Sequence, residues 1–453
     1  MTGSPSNSPE TEERPRAIPA GGRVIGRLRV PSSKSVTHRA LNLALLSGRP
    51  WTVAYPLLAE DTRLFLAALA RCGFRVEERP VLTGAEVDLT PGEPPTVNAE
   101  GEVEIFCGNA GTMLRFLVAT LAVLPGSWRL DGVPRLRERP VGPLVEALRG
   151  LGARIDYLER DGFVPLRIAG GSMGGGTTAI DAGASSQYLS ALLMAGLRAP
   201  APVTIEVAAL TSEPYVDITL GLIRERGGRV ERIEPEGGRA AYRVWPSELR
   251  GGPIEIEGDF SAACYPAAAA ALTGGAVVLE GLRRDSRQGD AGFLDLLVRM
   301  GAQVSWEGGM LAVMRNPRPE HFLRGIEADL SGMPDQVPTL AALAPFARGE
   351  THIRNVAHLR IKESDRLAAM ATELRRIGAT VEEGADFLKI QGTWTEGPLP
   401  DDPVTVETYG DHRIAMSLAV AGLVRPGVTI SSPGVVAKSY PRFWDDLAHL
   451  FPS

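Results

Sequence analysis

The segment Val30–Gly48, VPSSKSVTHRALNLALLSG, joins a short β-like run to an apolar helix through a corner of hydroxyl and cationic residues. The same pattern returns in segments 106–126, 181–197, 257–275, 329–349 and 407–423. One polar residue anchors each corner, and successive anchors are 76, 76, 76, 74 and 76 residues apart: Ser33, Asn109, Ser185, Ser261, Asp335 and Asp411. A period this regular indicates duplication, and its length predicts compact α/β units rather than a solenoid.

A second helix fits between successive anchors, and in the first five units it ends in a glycine-containing exit to a strand, such as RCGFRVEE at 71–78. Each unit is therefore predicted to run strand–helix–strand–helix–strand–strand, and six units suit two lobes of three. The corner helices are apolar nearly all round, so we expect them in the lobe centres. Their N-termini carry partial positive charge and unpaired N–H groups, which predicts an anion site in a cleft between the lobes.

The lobe boundaries are predicted at two hinges. A polar, Pro/Gly-rich stretch at 243–253 places one hinge near 252–258, and the run 22–30, which precedes the first corner, places the other near Pro31–Ser33. One lobe is then expected to contain residues 32–257, and the other 18–31 and 258–453. Residues 1–17 are polar and Pro-rich, and we predict a disordered tail there.

Composition limits the classes of function. The net charge of −6 does not favour nucleic acid or acidic membranes as partners, and 6% aromatic residues leave few platforms for stacking bases. The three cysteines have no CxxC spacing and the six histidines no HExxH spacing, so we predict no disulfide framework and no metal site. No apolar run of 18 residues occurs. We expect a cytoplasmic protein without a cofactor.

The segment Arg354–Leu367, RNVAHLRIKESDRL, carries the highest density of charge at any corner. Alone it predicts a helix start capped by Ser364 or Asp365. Equivalent corners supply further cations, which favours a shared anion site instead: Lys34, Arg39, Arg115, Arg139, Lys362, Arg366, Arg413 and Lys438. Lys34 stands at the positive end of a helix dipole, a position that suits a lysine only if an anion lies between the two.

The remaining corners mix ligand-binding and structural patterns. Ser185, Ser186 and Gln187 supply more polar groups than one cap needs, and Ser212 and Tyr215 follow at the next turn. Asp335 suits either a helix cap or a proton acceptor. The corner 259–263 is interpreted as structural capping. The glycine run 170–176, GGSMGGG, lacks the P-loop pattern and is predicted to be a hairpin loop.

Six motifs in order resemble the EPSP synthases, the 3-phosphoshikimate 1-carboxyvinyltransferase family. They are SSKSVTHRAL (32–41), GNAGTMLR (108–115), RERPVGPLVEAL (137–148), SSQYLSALLM (185–194), KESDRLAAMATELRRIGA (362–379) and YGDHRIAMSLAV (409–420). The resemblance implies a two-lobed inside-out α/β barrel of six βαβαββ repeats, three per lobe. It also implies transfer of the enolpyruvyl group of phosphoenolpyruvate to the 5-hydroxyl of shikimate 3-phosphate, with release of phosphate, by a monomer.

The resemblance assigns residues to each substrate by position. Shikimate 3-phosphate would contact Lys34, Ser35, Arg39, Ser185, Ser186, Gln187, Ser212, Tyr215, Asp335, His358 and Lys362. Phosphoenolpyruvate would contact Lys34, Gly111, Arg139, Gln187, Arg366, Arg413 and Lys438. Asp335 would accept a proton, Glu363 would donate one, and Lys34 would contact both substrates.

Two residues bear on how this chain compares with other members of the family, and two alternative assignments remain to be weighed. His358 stands where many members carry Asn, and Gly111 where glyphosate-insensitive members often carry Ala, so glyphosate is expected to compete with phosphoenolpyruvate. The UDP-N-acetylglucosamine enolpyruvyl transferases carry a Cys in the loop before their Arg-Pro, whereas residues 131–139 contain none. A non-catalytic anion-binding relative would be expected to lack Asp335, Glu363 or Lys34, and all three are present.

Overall fold

The computed structural model describes residues 14–82, 84–93, 95–233, 240–316, 322–395 and 398–451. Two strands precede the first helix: β1 (Arg16–Ala17) and β2 (Ile25–Arg29). The first unit then contains α1 (Lys34–Ser47), β3 (Trp51–Ala54), α2 (Glu60–Arg71), β4 (Phe74–Val81) and β5 (Gly84–Pro91). The second contains β6 (Val103–Phe106), α3 (Gly111–Val123), β7 (Ser127–Asp131), α4 (Gly142–Gly150), β8 (Arg154–Tyr157) and β9 (Leu166–Ala169).

The third unit contains β10 (Gly176–Ala182), α5 (Gln187–Gly196), β11 (Val203–Leu210), α6 (Pro214–Glu225), β12 (Arg229–Ile233) and β13 (Ala241–Trp245). It is followed by β14 (Gly252–Glu255), α7 (Phe260–Thr273), β15 (Ala276–Glu280), α8 (Phe293–Met300), β16 (Gln303–Glu307) and β17 (Met310–Met314). The fifth unit contains β18 (Glu327–Asp329), α9 (Val337–Leu343), β19 (Glu350–Arg354), α10 (Arg366–Arg376), β20 (Val381–Glu383) and β21 (Leu388–Gln391). The last elements are β22 (Val404–Val406), α11 (His412–Gly422), β23 (Val428–Ile430) and α12 (Phe443–Leu450).

The sheets share one topology. In β6-β7-β9-β8, the first two strands are parallel and the others antiparallel, and the sheets β14-β3-β5-β4, β10-β11-β13-β12, β2-β15-β17-β16 and β18-β19-β21-β20 repeat this order. In the last unit, β22 and β23 are parallel, and β1 pairs antiparallel with β23. The prediction of a disordered tail over 1–17 is therefore wrong for Arg16 and Ala17, because this pairing orders them, and residues 1–13 lie outside the described residues. The predicted α/β repeat is therefore present. The glycine run 170–176 is not a hairpin, because β9 and β10 belong to different sheets.

Two hydrophobic cores hold these sheets together. One draws on residues from Val36 to Ile256 and defines what we call the mid-chain lobe, and the other joins Ile18–Val30 to Phe260–Phe451 in the terminal lobe. The corner helices lie in the core centres, as predicted: α1, α3 and α5 in the first, and α7, α9 and α11 in the second. Their small side chains permit close approach, and all of α7 from Phe260 to Leu272 is buried.

The chain crosses between the lobes at two adjacent points. Ser32 and Gly258 form a β-bridge, Ser33 N donates to Glu257 O at 2.8 Å, and Asp259 N donates to Pro31 O at 2.8 Å. The crossings also exchange strands, since β2 pairs with β15 in the terminal lobe and β14 pairs with β3 in the mid-chain lobe. Among the described residues, no helix is long and apolar enough to span a bilayer.

Candidate active site

The polar corners of both lobes line one cleft, and the empty space between its lining residues, with the open solvent at its mouth included, is about 940 Å³. The N-terminal turns of α1, α3, α5 and α11 open into it, as does the loop before α10. All the predicted site residues lie along its wall except Arg115, His358 and Lys438. Those along the wall are Lys34, Ser35, Arg39, Gly111, Arg139, Ser185, Ser186, Gln187, Ser212, Tyr215, Asp335, Lys362, Glu363, Arg366 and Arg413.

Lys34 is the first residue of α1, whose N-cap is Ser33. Its main-chain N–H donates to Asp259 Oδ2 at 3.1 Å, a bond from the mid-chain lobe to the terminal lobe. Its Nζ lies 3.5 Å from Asp61 Oδ2, in the first turn of α2. A cation at the positive end of a helix is thus balanced by one buried carboxylate and aimed at the cleft.

Two buried arginines, Arg39 in the mid-chain wall and Arg115 behind it, orient polar groups of that wall. Arg39 donates through Nε to Thr219 Oγ1 at 2.7 Å and through NH2 to the Tyr215 carbonyl at 2.8 Å, and burial lowers its pKa to about 10. Arg115 donates to Gln187 Oε1 at 2.6 Å, and the amide nitrogen of Gln187 donates to a hydroxyl of α3 at 2.9 Å. These bonds fix the orientation of the Gln187 amide in the cleft wall.

Gly111 lies directly against the guanidinium of Arg139. A Cβ built at Gly111 would lie 2.7 Å from Arg139 Cζ, closer than real Cβ contacts. Arg139 is 4% exposed, and its NH1 lies 3.4 Å from the Asn109 carbonyl and 3.8 Å from Glu363 Oε1. Any side chain at position 111 would therefore displace a cation from the cleft wall.

Arg366 is the centre of the terminal wall and is 1% exposed. Its guanidinium contacts three carboxylates: Asp335 Oδ1 at 2.9 Å, Asp411 Oδ2 at 2.8 Å and Glu363 Oε2 at 3.0 Å. Arg413 NH2 contacts the other oxygen of Asp335 at 2.6 Å. Both oxygens of Asp335 are therefore paired with guanidinium groups, and the side chain is held in a single orientation.

These contacts keep the two candidate proton-transfer groups ionised. Burial alone would raise the pKa of Asp335, but Arg413 and Arg366 hold it well below its usual range. Burial would also raise the pKa of Glu363, and Arg139 and Arg366 hold it well below its usual value. Both carboxyl groups are therefore ionised at neutral pH in the ligand-free cleft.

The loop before α10 differs in one detail from the prediction. Asp365 is the N-cap, accepting from Ala368 N at 3.0 Å, but Ser364 does not share that role. Its hydroxyl donates instead to Asp411 Oδ2 at 3.1 Å, because its side chain faces the buried side of the corner.

Lys362 and His358 are both affected by burial. Burial lowers the pKa of Lys362 to about 8, and burial together with Lys362 lowers the pKa of His358 to about 4. His358 is 7% exposed, and its Nε2 has no hydrogen-bond partner within the described ranges. The imidazole is therefore neutral at pH 7 and lies behind the cleft wall.

Arg135 and Lys438 make further contacts between the lobes across the cleft. Arg135 donates through Nε to the Glu363 carbonyl and through NH2 to the Lys362 carbonyl, both at 3.0 Å. Lys438 Nζ donates to the Asn109 carbonyl at 3.1 Å and lies 3.8 Å from Glu363 Oε1, just behind the wall. The cleft is thus closed by groups from both lobes.

Sequence reasoning missed several groups that line or contact the cleft: Asp61, Asp259, Ser261, Tyr265, Asp290 and His412. Asp259 caps α7 as predicted, but it also receives the N–H of Lys34, so the fourth corner contributes to the cleft after all. Asp290 lies in a loop outside the repeat anchors, and no sequence signal marks it.

The arrangement suits two small anions and a proton transfer. Lysine and arginine groups surround the cleft, and two carboxylates share one arginine between them. No group of three metal-ligating side chains occurs among the described residues. Oriented cations and carboxylates in a closed cleft can hold anionic substrates and move a proton.

Comparison with known proteins identifies the family. Residues 18–447 match the sequence profile described as EPSP synthase (3-phosphoshikimate 1-carboxyvinyltransferase). The chain belongs to the EPSP synthase family. A 3-phosphoshikimate 1-carboxyvinyltransferase of Syntrophobacter fumaroxidans is 44% identical over 430 residues, covering 94% of this chain and 97% of that protein. One from Vibrio cholerae is 40% identical over 428 residues, with the same coverage.

The fold agrees with that of solved EPSP synthases. The structure of EPSP synthase from Acinetobacter baumannii superposes with a TM-score of 0.75 at 28% identity, covering 96% of this chain and 97% of that one. EPSP synthase relatives thus span both lobes and all six units, so the family assignment applies to the whole cleft.

Proposed function

We propose that the protein transfers the enolpyruvyl group of phosphoenolpyruvate to the 5-hydroxyl of shikimate 3-phosphate, releasing inorganic phosphate. Its relatives at 40–44% identity carry the name of this activity over 94% of the chain. The observation that carries the proposal is that Asp335 and Glu363, the candidate acceptor and donor of protons, bind the same guanidinium of Arg366 inside a cation-lined cleft.

Shikimate 3-phosphate binds, in this proposal, against the mid-chain wall. The hydroxyls of Ser185, Ser186 and Ser212 and the ammonium of Lys362 supply donors for its phosphate, at the N-terminus of α5. The 5-hydroxyl then points to Asp335. Burial and the nearby charge of Lys362 lower the pKa of His358, and the neutral imidazole keeps a hydrogen-bond donor available at Nε2 or Nδ1.

Phosphoenolpyruvate binds between the two lobes. Its carboxylate and phosphate would be held by cations from both sides of the cleft: Lys34, Arg139, Arg366, Arg413 and Lys438. The planar guanidinium groups can bind such oxygens in pairs. Gly111 leaves room for Arg139 to lie beside the ligand.

The reaction proceeds by addition and elimination. Phosphoenolpyruvate draws Arg139 and Arg366 toward its own oxygens, so Glu363 takes up a proton from solvent when this substrate binds. Asp335 accepts the proton of the 5-hydroxyl as its oxygen attacks C2 of phosphoenolpyruvate, and Glu363 then gives its proton to the methylene carbon. The arginines stabilise the anionic tetrahedral intermediate. Removal of a proton from the new methyl group expels phosphate, which leaves with the proton that the hydroxyl lost. Closure of the lobes about hinges near 31–33 and 252–258 excludes water.

The experiment is an assay of phosphate release from phosphoenolpyruvate, with shikimate 3-phosphate and with UDP-N-acetylglucosamine as parallel acceptors. Release is expected with the first acceptor only, because the loop 131–139 lacks the Cys typical of the second family. Absence of release with shikimate 3-phosphate would overturn the proposal. We propose that the enzyme acts as a cytoplasmic monomer, which sedimentation and fractionation can test.

A further inference from the structure

A buried carboxylate outside the predicted site, Asp290, is connected to Asp335 through one tyrosine hydroxyl. Tyr215 Oη lies 3.1 Å from Asp290 Oδ2 and 3.2 Å from Asp335 Oδ2. Asp290 is 3% exposed and lies in the loop before α8. The three groups come from three different elements, so their alignment is a property of the closed cleft and not of a local turn.

The hydroxyl of Tyr215 has a single hydrogen but lies within hydrogen-bond distance of two carboxylates. A phenol has one hydrogen and can donate to one carboxylate at a time. Burial and the two carboxylates raise the pKa of Tyr215 well above 10, so the hydroxyl stays protonated. With both aspartates ionised, one of the two contacts would bring two acceptor oxygens together. Both contacts are favourable when one proton is added to one aspartate.

Asp290 is the better of the two places for that proton. Its Oδ1 has no hydrogen-bond partner among the described residues, whereas both oxygens of Asp335 are paired with arginine. Burial and then the charge of Asp335 raise the pKa of Asp290 to about 6. The charged and titratable groups that face Asp290 are Asp259 and Cys264 around α7, Tyr215 from α6, Asp335 before α9 and Arg413 from α11. Only Arg413 among them is a cation.

Asp335 itself is a poor place to keep a proton, because two guanidinium groups stabilise its ionised form. A general base works best when its pKa lies near the working pH. We propose that Asp290 is the terminal holder of the substrate proton, reached from Asp335 through the hydroxyl of Tyr215. This inference rests on the proposed function.

The transfer is balanced at each atom. Asp335 receives the proton of the 5-hydroxyl and passes it to Tyr215 Oη, while the original hydroxyl proton of Tyr215 moves to Asp290 Oδ2. Asp335 is ionised again, Tyr215 is a neutral phenol, and Asp290 is a neutral acid. When phosphate departs, the path runs in reverse and the proton leaves with the phosphate. Asp290 acts through Tyr215 and is therefore a positioning and proton-holding residue.

The test is the pH dependence of kcat at saturating concentrations of both substrates. In the wild type, kcat is expected to fall as the pH drops below about 6, because Asp290 must be ionised to accept the proton. D290N removes the acceptor, so we expect a loss of about 100-fold in kcat and no acidic limb. A kcat within threefold of wild type with an unchanged acidic limb would overturn the relay.

Two further variants keep the test decisive if D290N does not fold. The Ser261 hydroxyl donates to Asp290 Oδ2 and stabilises its ionised form, so S261A is expected to shift the acidic limb to higher pH. An unshifted limb counts against the relay. Glu257 is a matched control, because it is a half-buried carboxyl with a raised pKa and a serine partner, Ser286, and no contact between it and Tyr215 is found among the described residues. E257Q is expected to keep the wild-type profile.

Failure of the relay and failure of the proposed function give different results. If the wild type releases no phosphate with shikimate 3-phosphate, the proposed function is wrong and the relay falls with it. If the wild type turns over and D290N does so equally well, only the relay is wrong. An infrared difference spectrum between pH 5 and pH 8 provides a readout without turnover: a carboxylic acid band absent from D290N supports the assignment, and an unaltered band contradicts it.

Discussion

Arg135 Nε lies 3.0 Å from the main-chain carbonyl oxygen of Glu363, on the opposite side of the cleft. The same guanidinium donates to the carbonyl of Lys362. No other hydrogen bond to either carbonyl is present among the described residues. The mid-chain lobe therefore holds the main chain of two residues, Lys362 and Glu363, whose side chains line the cleft, and it can do so only while the lobes are closed.

Replacing Arg135 by alanine is expected to lower kcat about 10-fold, because Lys362 and Glu363 lose their main-chain support in the closed cleft. Arg135→Lys should recover only part of the rate, since an ammonium lacks the planar fork that serves two carbonyls. Steady-state kinetics, with separate kcat and KM for each substrate, measures the effect.

Arg137 provides the matched control for this variant. Its guanidinium binds Asp131 and Glu159 within the mid-chain lobe and does not reach the terminal lobe. Arg137→Ala is expected to keep kcat within about twofold. Equal losses at positions 135 and 137 would show that the effect is one of local charge and not of contact between the lobes.

Lys34→Met is expected to remove nearly all turnover, a loss of at least about 1000-fold, while the circular dichroism spectrum stays that of the wild type. Lys34 is the first residue of α1, at the positive end of that helix, and its ammonium binds phosphoenolpyruvate in the proposed mechanism. The control is Lys389→Met, because Lys389 lies on β21 away from the cleft, 4.0 Å from Glu382. Substantial residual activity in Lys34→Met would contradict the role given to this residue.

Gly111→Ala is expected to raise the KM for phosphoenolpyruvate about 10-fold and to weaken inhibition by glyphosate. The added methyl group would lie 2.7 Å from Arg139 Cζ and must displace that guanidinium. The KM for shikimate 3-phosphate serves as the internal control and should change less than twofold. In the wild type, full activity at glyphosate concentrations far above the KM for phosphoenolpyruvate would refute competition at this site.

The buried histidine His38 predicts how stability depends on pH. Burial, with Lys34 and Arg39 nearby, holds its pKa well below 6.5, so the folded state stays unprotonated where the unfolded state binds a proton. The free energy of unfolding therefore falls as the pH drops below 6.5. At pH 5.5 this group costs about 1.4 kcal/mol relative to neutral pH. Urea unfolding of wild type and His38→Gln at pH 7.5 and 5.5 measures the difference.

His449 supplies the comparison for that experiment. It is exposed near the end of α12, so His449→Gln is expected to leave the pH dependence of unfolding as in the wild type. If His38→Gln and wild type lose the same stability on acidification, His38 is not the group responsible.

The site residues that could be predicted from the sequence are those at the starts of the corner helices, which occupy the same position in each repeat unit. Lys34, Gly111, Gln187 and Arg413 each lie at or next to the first residue of a corner helix, and a 76-residue period places such residues at the same end of every unit. The cleft could therefore be predicted by counting residues, because buried parallel helices with a common direction bring their N-termini to one side.

Contacts between units could not be predicted in this way. Asp290 lies in a loop with no counterpart among the anchors, and Arg135 reaches a main chain 227 and 228 residues further on. The hydroxyl of Ser364 binds Asp411, 47 residues away, rather than capping its own helix. Each depends on how two units pack, and local propensity carries no information about that packing.

The exchange of β2 and β14 between the lobes affects the order in which the protein can be made. β2 leaves the ribosome early, but its partner β15 begins at Ala276, about 250 residues later. At a synthesis rate of about 5–20 residues per second, roughly 12–50 s pass between the synthesis of β2 and that of its partner β15. The first sheet of the mid-chain lobe is likewise completed only by β14. The nascent chain therefore carries unpaired sheet edges until both halves have emerged, and ligand-binding ability arises only at the end of synthesis.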